Sequence, residues 1–403
     1  MDVYKIRRDF PVYTGGDNDP IYFDNACQTL RPRQVIEAST EYYLKYPACA
    51  GRSVHRFATE VSIRIDESRE KIASFINAPS SKEIIFTKNC TEALNLVAKG
   101  LDLKRGDIVL TTDIEHNSNH VPWMQIARSK GIRRKFVETS KDGVFDLETF
   151  KAMVSKDVKV VSFAHANNVV GTSIPAKDVI EIAHDYGAIV ILDGAQAAPH
   201  MRVDVKELDV DFYAFSMHKM LGPAGVGVLY GKEGLLEKLD PLITGGGAVS
   251  TASLDEIEFL PLPDKLESGL LNYSGIIGSS AAIDYINKIG LESISEHVCR
   301  LNSKVTDSLR NDPAIEILGP KDCRLRGNIF SFNIKGLGSH DIAMMLDQMK
   351  GIMIRSGMHC AHPFFLKRDI NGCARASFYV YNTLEECQIF VEAVREIAQI
   401  FSN

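Results

Sequence analysis

Short apolar runs alternate with longer amphipathic stretches along much of this chain. Glu83-Ile84-Ile85-Phe86-Thr87, Asp107-Ile108-Val109-Leu110-Thr111-Thr112, Val158 to Ala164 and Ile189-Val190-Ile191-Leu192-Asp193 are such runs, each strand-length and bounded by polar residues. Asp211-Phe212-Tyr213-Ala214-Phe215 and Val226-Gly227-Val228-Leu229-Tyr230 add two more. Helical patterns lie between them, opening at Cys90 and at Glu181. A strand, a polar turn and a helix thus repeat from about residue 80 to 230, which predicts an α/β unit with a mostly parallel sheet covered on both faces. Ahead of it, Ile21-Tyr22-Phe23 reads as a short strand, and Val35 to Lys45 and Thr59 to Asn77 as helices. Gly15 to Pro20 is a turn-rich stop. Gly245-Gly246-Gly247 opens a long irregular stretch, and Gly275 to Ile286 begins a long helix. Beyond about 285 the order changes to helix, strand, strand, helix, with strands at Asn328 to Ile334, Gly351 to Arg355 and Ala376 to Tyr381 and a last helix from Leu384. The division expected is an N-terminal segment 1–20 associated with a small unit, a large domain 21–284 and a small α+β domain 285–403.

Composition narrows the class without naming a chemistry. The 403 residues are 45% hydrophobic and 24% charged, enough for a large core. A net charge of −6 argues against a nucleic-acid binder, which normally carries a basic face. No apolar run reaches the roughly 18 residues of a membrane helix, and Met1 to Phe10 has no apolar signal core. The eight cysteines show neither Cys-x-x-Cys nor zinc-type spacing, which suggests reduced thiols and a cytoplasmic protein.

Two polar positions stand out against this pattern. Lys219 follows Ser216-Met217-His218 and precedes Gly222-Pro223-Ala224-Gly225, on a tight connection between two apolar strands. Asp193 ends a continuous apolar strand, at the carboxyl edge where open α/β sheets bind ligands. Pyridoxal 5′-phosphate (PLP) requires such a pair, a lysine to carry it and a carboxylate for its ring nitrogen. Lys88-Asn89-Cys90-Thr91-Glu92 joins a strand to a helix start, where free N–H groups and the helix dipole suit a phosphate. An ordinary capped helix explains it equally well on its own; beside a PLP lysine, a phosphate at Cys90 and Thr91 is favoured.

Asp193-Gly194-Ala195-Gln196, Ser216-Met217-His218-Lys219 and Arg355-Ser356-Gly357-Met358-His359-Cys360-Ala361-His362-Pro363 together resemble fold-type I PLP enzymes of the class V aminotransferase group, and more narrowly the SufS-type cysteine desulfurases. The likeness runs from Tyr22-Phe23-Asp24-Asn25 to Arg375 through Asn382. It implies a large domain with a seven-stranded-type, mostly parallel sheet flanked by helices, plus a smaller α+β domain. It implies that Lys219 carries PLP, Asp193 keeps the ring nitrogen protonated, Gln196 bonds the 3′-oxygen, and Ser216 and His218 bind phosphate. His116, in Glu115-His116-Asn117-Ser118-Asn119, would stack on the ring, although taken alone it reads as a structural histidine. Asn168 would meet the 3′-oxygen or the substrate carboxylate. His55 and Arg56 lie on a loop that spacing alone assigns to the surface; the resemblance puts them near a substrate pocket at a homodimer interface. Two departures stand out: Cys90 where a threonine is usual, and Leu270 where a threonine would reach the neighbouring subunit's phosphate. Cys27 also stands where smaller residues are common, and reads as a packed small hydrophobe.

Cys360 sits on a Gly- and Pro-bounded loop beside His359 and His362, where nearby positive charge would favour the thiolate. A cysteine taken at random is usually a packed thiol; the surrounding motif implies instead that Cys360 takes sulfur from L-cysteine as a persulfide while alanine leaves. Lys219 or His116 would move the α-proton, Arg375 would clamp the substrate carboxylate, and Arg355 is a second candidate for that task. A scaffold or sulfur-acceptor protein, feeding iron–sulfur or other sulfur-cofactor assembly, would complete the cycle. The alternatives are a selenocysteine lyase, another class V activity such as an aminotransferase or epimerase, or a non-catalytic subunit. An aminotransferase has no use for a loop nucleophile, and Lys219, Asp193 and His116 argue against lost chemistry.

Overall fold

The computed structural model describes residues 1–16 and 19–401, so Asp17 and Asn18 of the expected turn lie outside the described residues. Seven strands form one sheet, in the spatial order 84–87, 227–231, 212–216, 189–193, 158–164, 108–112 and 133–137. All run parallel except 227–231, which lies antiparallel between its two neighbours. Arg133–Val137 is an edge strand whose alternating exposure hides it from a search for apolar runs.

Side chains alternate across the sheet into two cores. Ile85, Val109, Val160, Ile191, Phe212 and Leu229 pack on one face with the helices Cys90–Gly100 and Asn117–Lys130. Phe86, Leu110, Val161, Leu192, Tyr213 and Val228 pack on the other, with Arg56–Phe75, Ala176–Asp185 and Tyr273–Ile289. A strand buried on both faces has no polar face to show, so these runs read as continuously apolar.

The second core extends without a break into a four-stranded antiparallel sheet, ordered 315–318, 329–334, 373–377 and 355–357. Helices Leu291–Leu309 and Leu384–Phe401 cover it. Several expected boundaries move. The helix Tyr273–Ile289 runs through the division expected at 284/285, and the chain turns instead at Gly290, where φ is +88°. Ile21–Tyr22 pairs in parallel with Ile352–Met353, so the entry segment is tied to the C-terminal sheet region. The strand expected over 351–355 is therefore split in two, at 352–353 and 355–357. The strand expected over 376–381 is Cys373–Ser377; Asn382 Oδ1 accepts the Tyr379 N–H at 2.8 Å and turns the chain away. The N-terminal helix Val3–Arg7 docks through Arg7, which donates to Tyr381 O at 3.0 Å and pairs with Glu386.

One buried ion pair holds the edge of the large sheet. Arg69 makes two bonds to Glu267, at 2.6 and 2.8 Å, and also donates to Ile84 O at 2.7 Å. Glu267 Oε1 in turn accepts the Phe86 N–H at 2.5 Å. Removing the carboxylate charge strands a buried guanidinium, which costs about 3–5 kcal/mol. Glu267→Gln is expected to lower the urea midpoint by that much stability, measured by equilibrium unfolding; an unchanged midpoint would show that the pair contributes nothing.

Candidate active site

Five strand ends converge on one cleft of about 260 Å³. Asn89, Cys90 and Thr91 follow strand 84–87, His116 follows 108–112, Asn168 follows 158–164, Asp193 ends 189–193, and Ser216 ends 212–216. This is the carboxyl edge of the sheet, where strand ends leave backbone groups and short turns free for a ligand. Gln196, His218, Lys219, Arg355, Cys360 and Arg375 line the same cleft. Twelve of the fourteen residues singled out from sequence are thus brought together. His55 and Arg56 are not: they are exposed, and His55 Nδ1 accepts the Ala58 N–H at 3.3 Å as the cap of helix Arg56–Phe75.

Lys219 stands on a single 3₁₀ turn, Met217–Lys219, between the antiparallel strands 212–216 and 227–231. Thr29 fixes this turn from outside. Its N–H donates to His218 O at 3.0 Å, and its hydroxyl accepts from Leu221 N at 2.9 Å, where the backbone is left-handed with φ +61°. Removal from water lowers the Lys219 pKa, partly offset by the Asp193 carboxylate.

The helix Cys90–Gly100 points its N-terminus at the cleft. Asn89 caps it, accepting the Glu92 N–H at 2.9 Å. Asn89 reaches this place because position 227 is glycine: a Cβ there would sit 2.4 Å from the Asn89 backbone. The phosphate role expected of Cys90 needs correcting. Its N–H is taken by Ser216 Oγ at 2.8 Å, and its thiol turns away to Asp193 Oδ1 at 3.3 Å. The Thr91 and Ser118 hydroxyls lie 2.7 Å apart in the same cleft as Ser216 and His218. Ser118 was not singled out from sequence, because a serine two residues after His116 carries no pattern of its own.

Burial keeps His116 and His359 neutral. His116 Nδ1 accepts the Ser118 N–H at 3.1 Å, which leaves Nε2 to carry the proton. Burial, reinforced by Lys219, pushes His116 down to about 4. Burial pushes His359 down to about 2, and its Nε2 faces Cys373 O at 3.1 Å. His359 therefore cannot supply the positive charge expected beside Cys360, and His362 is turned to Asn117 Nδ2 at 2.9 Å. The guanidinium groups of Arg355 and Arg375 are the cations on that side of the cleft. Arg375 is buried, donates to Asn168 O at 2.8 Å and reaches Asp24 Oδ1 at 3.4 Å. Arg355 Nη1 lies 3.0 Å from Cys27 Sγ, so Cys27 is a partly exposed cleft residue, contrary to the expectation of a packed hydrophobe.

Cys360 is exposed at the mouth of the cleft, and both it and His359 are left-handed, with φ +55° and +48°. Such backbone is costly for residues with a Cβ and persists only where neighbours enforce it. Asn117 N–H donates to Cys360 O at 2.6 Å, and Asn168 Nδ2 to His359 O at 2.8 Å.

The cleft fits PLP on its own chemistry. Asn168 Oδ1, Gln196 Oε1 and Arg375 Nε are buried in its wall with no partner among the described residues. An unpaired buried polar group costs about 1–3 kcal/mol, so the wall is built to receive a polar ligand. Among the described residues no group of His, Cys, Asp and Glu could hold a metal, and no helix is long and apolar enough to cross a membrane.

The family model for Aminotransferase class-V matches residues 21–390. The chain belongs to the class-V aminotransferase family. Within this family it is similar to a probable cysteine desulfurase of Halalkalibacterium halodurans, 40% identical over the whole of both chains. A probable cysteine desulfurase of Pyrococcus abyssi is also 40% identical, over 98% of this chain and 97% of that one. Among solved structures, a cysteine desulfurase from Thermococcus onnurineus superposes with a TM-score of 0.94 at 41% identity, covering 98% of each chain. The Escherichia coli cysteine desulfurase CsdA gives a TM-score of 0.91 at 31% identity over 99% of each.

Burial of neutral histidines sets the acid stability of this class-V fold. His116, His165 and His218 are held at about 4, His200 at about 3 and His359 at about 2, all chiefly by burial. Folded values below the unfolded value of about 6.5 mean that the unfolded chain binds more protons as pH falls, so this stability is lost below about 6.5. Glu115 opposes them: burial pushes its carboxyl up to about 7, so it gains stability as pH falls. The histidines outnumber it, and the urea midpoint is expected to fall between about pH 7 and 5.5, each histidine contributing up to about 1.4 kcal/mol per unit. A midpoint that rises over this range would contradict the assignment.

Proposed function

We propose that this chain is a PLP-dependent cysteine desulfurase that converts L-cysteine to L-alanine and keeps the sulfur as a persulfide on Cys360. The observation that carries this reading is the exposed Cys360 thiol at the mouth of the cleft that also holds Lys219, Asp193 and Arg375. A cleft with lysine and carboxylate alone would serve many amino-acid reactions; a thiol placed at its entrance serves sulfur transfer. The relatives named as cysteine desulfurases support the same reading.

PLP would be held by Lys219, by Asp193 at its ring nitrogen, by Gln196 and Asn168 along its edge, and by Thr91, Ser118, Ser216 and His218 at its phosphate. When bound it supplies an electron sink for the bond broken at the substrate's α-carbon. Arg375 and Arg355 bind the substrate carboxylate, and Arg375 keeps its aim through Asn168 O. Lys219 Nζ takes the α-proton, helped by the environment that disfavours its charge. His116, neutral with its proton on Nε2, would lie against the bound cofactor and could pass a proton without adding charge. The Cys360 thiolate attacks the substrate sulfur: an S–S bond forms, the Cβ–S bond breaks and its electron pair stays on the β-carbon, which accepts a proton, while the α-carbon regains the proton held by Lys219 to give alanine.

The finer assignment is to the SufS-type group, acting in the cytoplasm as a homodimer in which His55 and Arg56 of each chain face the other chain's cleft. Sulfur would leave through an acceptor protein towards iron–sulfur or other sulfur-cofactor assembly. Leu270 supplies no hydroxyl for a phosphate contact between subunits, so that contact would fall to main-chain N–H groups.

Cys360→Ala is expected to lower alanine release from L-cysteine by at least on the order of a hundredfold. The wild type, treated with L-cysteine without reductant, is expected to gain one sulfur by intact-mass measurement, and the variant none. Equal alanine release by both would remove Cys360 from the reaction. Arg375→Lys keeps the charge but loses the fork, and is expected to raise KM for L-cysteine about tenfold or more, with kcat less affected. An unchanged KM in steady-state kinetics would assign the carboxylate to Arg355 alone.

A further inference from the structure

Asp193 is anchored by only one of its two carboxylate oxygens. Oδ1 accepts from the Cys90 thiol at 3.3 Å and from the Ala195 N–H at 3.0 Å. Oδ2 has no partner among the described residues, and Asp193 lines the cleft. Cys90 is itself fixed: it is 5% exposed, begins helix Cys90–Gly100, and its N–H is bound to Ser216 Oγ at 2.8 Å. We propose that Cys90 is a positioning residue for Asp193, its thiol and the Ala195 N–H together anchoring Oδ1 so that Oδ2 is presented to the ring nitrogen of PLP. The proposal rests on the reading of the cleft as a PLP site.

The chemistry favours donation from sulfur to oxygen. An ionised carboxylate only accepts, so the proton of this contact belongs to the thiol. Burial and the charge of Asp193 both hold the thiol well above its ordinary range, so it stays protonated and donates. A lone donor would leave the carboxylate free to swing about its Cβ–Cγ bond, whereas two donors from different elements on one oxygen fix its plane. A thiol is also a weak donor, and it draws little charge from the carboxylate. The oxygen facing the ring nitrogen therefore keeps the negative charge that a protonated ring needs. The Cys90 N–H extends the same frame to Ser216, three residues before Lys219, so one residue links the groups at both ends of the cofactor site.

The test uses full-length Cys90→Ser, Cys90→Ala and Cys90→Val, with PLP affinity read by titrating the apo-protein. Serine keeps a donor, whereas alanine and valine have none. If Cys90 acts through its proton, Cys90→Ser binds PLP within about twofold of wild type, and Cys90→Ala and Cys90→Val bind on the order of fivefold more weakly. If Cys90 acts only by filling space, Cys90→Val holds PLP as wild type does while Cys90→Ser loses it, and the proposal fails. A second readout needs no cofactor. The infrared difference between apo wild type and apo Cys90→Ala isolates one S–H stretching band. Donation predicts a band below the free-thiol frequency that returns towards it in Asp193→Ala; a band at the free-thiol frequency overturns the proposal. A wild type that takes up no PLP overturns the reading of the cleft and the proposal with it, and an unaltered PLP affinity in Asp193→Ala does the same.

Discussion

The backbone contact between Asn89 and Gly227 decides where the cleft can form. Strand 227–231 runs against the direction of its neighbours, so its first residue meets the last residues of 84–87 and 212–216. The lysine turn leaves one of those strands and the helix Cys90–Gly100 begins after the other. They can share a site only if the chain at 89 lies directly against the chain at 227, and a Cβ at 227 would come 2.4 Å from that backbone. The Ser216 hydroxyl then closes the gap by accepting the Cys90 N–H. One antiparallel strand in a parallel sheet thus places a helix dipole beside a lysine, two features that local sequence could not have joined.

Charge in the cleft is arranged by what has been made neutral. His116, His218 and His359 lie along its wall, and burial keeps each uncharged at neutral pH. The fixed cations are Arg355 and Arg375, burial disfavouring the charge of Lys219, and the acidic groups are Asp193 and, just behind the wall, Asp24. Asp24 lies 3.4 Å from Arg375 and 3.9 Å from Arg355. Shared between two guanidiniums, it cannot satisfy both, and among the described residues Arg375 Nε has no partner. A carboxylate entering there, as the proposed function requires, would find guanidinium donors still to be filled.

The large domain was legible because its strands are buried on both faces. Continuous apolar runs ending in polar residues mark both the sheet and the edge at which ligands sit, so Asp193, Lys219 and the turn at Asn89 could be assigned to one end of it. Strand 133–137, Arg-Arg-Lys-Phe-Val, escaped because an edge strand alternates and keeps Arg133 and Lys135 outward. The direction of a side chain was not legible. Cys90 reads as a phosphate residue by its position at a helix start, and only the backbone angle of that start sends its thiol towards Asp193. Cys27 reads as filler by type, and only the approach of Arg355 from a strand more than three hundred residues away makes it a polar contact. His359 reads as a cation beside Cys360 by adjacency, yet burial removes its charge.

The Cys360 loop combines exposure with constraint, as the proposed sulfur transfer requires. A thiol that takes sulfur from a substrate inside a cleft and later passes it out must be reached from both sides. Full burial would deny the second step, and a free tether would give up the alignment the first step needs. Here the thiol is exposed, but the main chain beneath it is not free. Two consecutive left-handed residues turn it, Asn117 N–H holds Cys360 O, and Asn168, itself in the cleft wall, holds His359 O. Asn168 O also accepts from Arg375. One asparagine therefore sets the height of the loop and the aim of the carboxylate clamp together.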